Sequence, residues 1–86
     1  MRQEPDFFGE QELILIYIAR KLKEALRLEK TLSDAGVDYL VEPDKYSGGI
    51  IFRSERIGAF FYVSEGSRSS AYEIMKKQGF TPYETT

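Results

Sequence analysis

The residues best suited to chemistry in this chain are cations, not nucleophiles. Arg20, Lys21 and Lys23 fall where a helical pattern begins, and no Ser, Thr, Asp or Asn cap precedes them. Positive charge there opposes the helix dipole by about 0.3–1 kcal/mol per residue, while an uncapped N-terminus offers its N–H groups to an anion. Further along, Gly48 and Gly49 could let a ligand approach the backbone, and Arg53 and Arg56 could clamp a phosphate or carboxylate. Arg20, Lys21, Gly48, Gly49, Arg53 and Arg56 are therefore the candidate anion site. Each also has a plainer reading. The lysines and arginines can form a solvated face or pair with Glu42 or Glu55, and the glycine pair can make a hairpin turn.

Catalysis has little to draw on. The chain holds no histidine and no cysteine, so neither acid–base chemistry by imidazole nor a thiolate nucleophile is available. Ser67, Ser69 and Ser70 cluster at a helix start with no visible base, and the carboxylates lack the spacing of a calcium loop. The expectation is a non-enzyme with no metal and no cofactor. Glu29 falls within the apolar arc of the first helix. A buried carboxylate is costly unless paired, so it is either a functional group, a residue leaning outward, or an arginine's partner.

The elements that would carry these residues follow from periodicity. Residues 1–11, with Pro5 and Gly9, read as a loose arm whose Phe7 and Phe8 could tuck against the body; residues 12–86 read as a single domain. Leu13–Ile18 is a continuous apolar run, the pattern of a strand covered on both faces, although a helix continuing into the next segment stays open. Arg20–Ala35 is helical: Leu22, Ala25, Leu26, Leu28, Leu32 and Ala35 share one arc, and Gly36 is placed to end it. Val37–Val41 alternates as a strand stopped by Pro43, and Asp44–Gly49 is turn chemistry. Ile50–Arg53 and Ala59–Val63 read as strands joined through Ser54–Gly58. A second helix opens at Ser67–Ser70, with Ser70 and Glu73 at capping-box spacing. Ala71, Ile74, Met75 and Gln78 line its inner face, Gly79 stops it, and Phe80–Tyr83 could add a short edge strand.

That order predicts an α+β fold of ferredoxin-like type, βαββ(β)αβ, with two helices on one face of an antiparallel sheet. The other face then needs cover, because Gly48–Val63 carries large side chains on both sides. Phe52, Phe60, Phe61 and Tyr62 form the candidate self-association face. Burying one such aromatic is worth about 1.5–3 kcal/mol, which a second copy, the N-terminal arm or a ligand could supply.

At 86 residues with no cysteine, oligomerisation is the common remaining support for so small a core. The net charge of −2 disfavours general nucleic-acid binding. Leu13–Ala19 is far short of the roughly 20 residues of a bilayer span, and no secretory signal opens the chain. A soluble, cytoplasmic homodimer or higher homo-oligomer is expected.

Glu24–Glu29, Leu32, Ala35–Tyr39, the Gly-Gly turn and Gly58–Val63 together resemble the putative prokaryotic signal-transducing proteins, small bacterial domains similar to the nitrogen-regulatory PII fold. The likeness spans Leu13–Phe80. It implies a regulatory module that binds a partner or a small anionic ligand, with no catalytic residues. PII proteins carry a long target-binding loop after the second strand, where this chain has only Asp44–Gly49. A fainter likeness, of Ile16–Ile18 and Arg56–Tyr62 to the RNA-recognition motif, gives the alternative of RNA binding; Gly58 stands where that motif carries an aromatic. A purely structural oligomerisation module is the other alternative.

Overall fold

Leu13–Ala19 folds as a strand (β1), which settles the ambiguity of that apolar run. The structure, a computed structural model, describes residues 1–48 and 54–83. Before β1 comes one helical turn, Pro5–Phe8 (α1), with proline at its start, where the missing N–H costs nothing. After it come helix α2 (Leu22–Asp34), strands β2 (Leu40–Gly48) and β3 (Ser54–Ser64), a 3-10 turn at Glu65–Ser67, and helix α3 (Arg68–Lys77). The described strands form one antiparallel sheet in the order β1-β3-β2. The fold is thus α+β, with fewer strands among the described residues than the sequence suggested.

Both long helices end in the same way. Gly36 and Gly79 have positive φ (74° and 86°), a region open to glycine at little cost. Val37 N–H then bonds the Leu32 carbonyl at 3.0 Å and Phe80 N–H bonds that of Met75 at 2.9 Å. These are Schellman closures. Each carries its next side chain, Val37 or Phe80, into the cluster that holds Leu32 and Met75.

Three strand expectations need correction. The second strand begins at Leu40 and runs through Pro43 to Gly48, so Asp44–Gly48 is strand and not turn. β2 is an edge strand, and proline's missing N–H is tolerated at an edge. Ser54–Gly58 likewise belongs to β3, which runs unbroken to Ser64. Phe80–Tyr83 is not a strand; it lies beside β1 with one backbone bond, Tyr83 N–H to the Ile16 carbonyl at 2.6 Å. The expected strand Ile50–Arg53, with Phe52, lies outside the described residues. The capping box also fails: Ser70 is inside α3, whose cap is Ser67, with no side-chain bond from the cap.

Alternation along β3 divides the sheet. Phe61 and Val63 face the helices and are fully buried with Ile16, Leu28, Leu32 and Met75. Ile16 is the extra residue of a bulge in β1, between the pairs Leu15–Tyr62 and Tyr17–Phe61. Phe60 and Tyr62 face the other way, as do their partners Ile18, Leu15, Leu40 and Glu42. Phe8, Leu40 and Phe60 are buried outside the main cluster.

Residues 1–11, expected as a loose arm, are tied to the body. Gln3 N–H bonds the Tyr39 carbonyl at 2.8 Å, and Tyr39 N–H bonds the Met1 carbonyl at 3.1 Å. The chain then crosses from the β2 edge to the β1 edge, with Phe8 buried on the way. No helix among the described residues is long and apolar enough to cross a membrane.

Candidate functional site

The sheet face turned away from α2 and α3 places one expected cation over an aromatic ring and a second at that residue's cross-strand partner. Tyr46 and Arg56 are cross-strand partners on β2 and β3. The Arg20 guanidinium, just past the end of β1, stands over the Tyr46 ring at 5.4 Å from its centroid, a distance at which a cation and an aromatic face attract. The ring in turn lies on Gly58, where a Cβ would sit 3.0 Å from Tyr46 Cε1 and 3.1 Å from Ile18 Cγ2. Gly58 therefore serves as a floor for the ring. Arg20, Tyr46 and Gly58 make a stack, and Arg56 flanks it.

The start of α2 adjoins this stack. Lys21 occupies the cap position in extended conformation with no side-chain cap bond. Glu24 reaches back to accept the Arg20 N–H at 3.3 Å, a bond outside the helix that leaves the first-turn N–H groups without a side-chain cap. Lys21 and Arg20 line a small cleft with Leu22, Ile57 and Gly58. On its other side Arg20 lines a cleft of about 420 Å³ with Tyr17, Glu24 and Tyr83. Burial pushes the Tyr17 phenol above its ordinary pKa, and the Glu24 carboxylate pushes it further. Arg56 makes no ion pair with any described residue, so the expected pairing to Glu42 is not formed.

The remaining expected site residues separate. Gly48 is the last residue of β2, opposite Ser54, and contributes strand rather than turn; Gly49 and Arg53 lie outside the described residues. Of the proposed self-association face, Phe61 is in the core and Phe60 is buried within the single chain, which removes both from a surface. Tyr62 stays partly exposed; burial raises its pKa, as do Glu42 and Asp44 nearby. Phe52 is not described. Glu29 meets an arginine: Arg2 stands 3.7 Å away, and the Tyr39 hydroxyl donates to Glu29 at 3.2 Å. Among the described residues no three His, Cys, Asp or Glu side chains are grouped to hold a metal ion.

Tyr46 and Gly58 are the site residues that sequence reasoning missed. Their contact depends on a register that pairs residue 46 with residue 56, and both positions carry turn-like neighbours. Comparison with known protein families, curated proteins and solved structures finds no match to this chain.

Proposed function

We propose that the chain is a non-enzymatic binding module, cytoplasmic and regulatory, that takes a small anionic group where Arg20 and Arg56 flank Tyr46. Its layout is read as ferredoxin-like, with residues 80–83 beside β1 in the position of the fourth strand. The observation that carries this reading is the stack itself: a guanidinium held 5.4 Å over a ring that rests on a glycine. A preorganised arginine loses less rotamer freedom on binding than a free one. A second arginine, unpaired among the described residues, stands on the ring's strand partner. Lys21, at the uncapped start of α2, adds positive potential to the same end.

RNA binding is the weaker reading. It would need bases stacked along β1 and β3, yet Phe60 is buried and Tyr62 sits in the field of Glu42 and Asp44.

The test is titration calorimetry with inorganic pyrophosphate at low salt, on the native chain and on Arg20→Gln and Arg56→Gln. Loss of one charge-assisted contact, worth about 1.5–3 kcal/mol, should weaken binding at least tenfold in each variant. Added salt should weaken binding in the native chain. Native-like affinity in both variants, or no heat with the native chain, contradicts the reading.

A further inference from the structure

Charge and exposed apolar surface are separated along the molecule. β1 and α2 both have one end near the N-terminal arm and the other near Arg20. Met1 and Gln3 bond Tyr39, just after α2 ends, and Glu65 N–H bonds the Glu12 carbonyl just before β1 begins. α2 alone, with 13 residues, spans about 20 Å at 1.5 Å per residue. At the arm's end the α1 turn presents Phe7, 52% exposed, among Glu4, Asp6 and Glu10. At the far end Leu22 and Leu26, one turn apart on α2, are 75% and 55% exposed, and Ile57, which lines one cleft with Leu22, is 72% exposed. Arg20, Lys21 and Lys23 border that patch. Sequence periodicity assigned Leu22 and Leu26 to the core; the structure leaves them in solvent.

We propose that two copies associate through these unlike surfaces, the acidic Phe7 turn of one seating on the basic-rimmed Leu22–Leu26–Ile57 patch of the other. The match is one of kind: an aromatic side chain with Glu4, Asp6 and Glu10 as close sequence neighbours against an aliphatic patch whose cleft Arg20 and Lys21 line. Within one chain the two surfaces lie at opposite ends and do not meet, whereas a second copy presents the complement of each. Aromatic anchors in apolar pockets carry most of the binding energy of such contacts, while the charged rim sets encounter and orientation. This interface replaces the Phe60–Phe61 face, whose aromatics are already covered within one chain. It does not rest on the anion site.

Sedimentation of the full chain over a range of concentration and salt tests the proposal. The native chain should associate head to tail at low salt into dimers and longer assemblies, because each contact leaves one turn and one patch free, and should dissociate as salt rises. Phe7→Ser and the double variant Leu22→Ser, Ile57→Ser alter exposed side chains, so both should keep the native melting profile by circular dichroism. Each alone should be monomeric, with at least a tenfold loss of association. Mixing the two should restore heterodimers, because one intact turn then meets one intact patch. Pyrophosphate binding by Phe7→Ser should persist, which separates failure of the interface from failure of the anion site. A native chain that stays monomeric at low salt overturns the proposal and leaves the patch to a different protein. Association that survives Phe7→Ser, or variants that fail to complement on mixing, overturns it equally.

Discussion

Three phenols, at Tyr17, Tyr39 and Tyr62, are shifted by burial in the same direction. Tyr39 is buried under α2 with its hydroxyl bonded to Glu29 at 3.2 Å. Burial raises its pKa above the ordinary 10.0, the Ser33 hydroxyl opposes that in part, and the Glu29 carboxylate adds a smaller upward push. The unfolded chain therefore gives up this proton first as pH rises. Stability contributed by the neutral phenol is complete below about pH 10 and is lost as pH climbs through the higher folded value. Tyr17 and Tyr62 shift in the same direction, so alkaline unfolding should set in as their protons leave. Tyr39→Phe should flatten that alkaline limb while losing about 0.5–1.5 kcal/mol at neutral pH from the missing hydrogen bond. Denaturant melts at neutral and alkaline pH measure both. An alkaline limb as steep as that of the native chain would show that Tyr39 is not among the groups driving it.

Elements built on strong periodicity were legible from the sequence; those built on pairing were not. β1 announced itself by an apolar run, and α2 and α3 by their arcs and by Gly36 and Gly79, because these signals are local. β2 past Pro43 reads Asp44-Lys45-Tyr46-Ser47-Gly48, which has no apolar alternation since an edge strand need not bury both faces. Gly58 looked like a turn residue for the same reason: what calls for a glycine there is the Tyr46 ring, twelve positions away in sequence. Among the expected cations, Arg20 and Arg56 converge through this pairing, and Lys21 stands beside them. Gly58→Ala tests the element directly. A methyl group there would meet Tyr46 and Ile18 at 3.0–3.1 Å, costing about 1–3 kcal/mol by overpacking. It should also displace the ring that seats Arg20, so the variant should melt lower and bind pyrophosphate more weakly. An unchanged melt with native affinity would mean that the ring is not held against the glycine.

On the scale of the whole molecule, the sheet's second face is closed at one end and open at the other. Near the start of β2, Leu40 and Phe60 are buried, as is Phe8 on the N-terminal crossing. Near its end, Arg20, Tyr46 and Arg56 remain at the surface. The aromatic content of β3 pointed to a face needing cover and left the N-terminal arm as one of three candidates, because Met1 and Gln3 attach chiefly through backbone groups, with one side-chain bond from Gln3 to Asp38. The consequence is a molecule whose sheet face is closed at the end of the N-terminal arm and open at the end that carries Arg20, Lys21 and Arg56. Amide chemical shifts of the labelled native chain, followed while inorganic pyrophosphate is added at low salt, test this account most directly. It predicts that residues 20, 21, 46 and 56–58 shift together and saturate, while residues 3–8 and 37–40 stay still. No shift at tens of millimolar ligand, or movement centred on the N-terminal end, would contradict it.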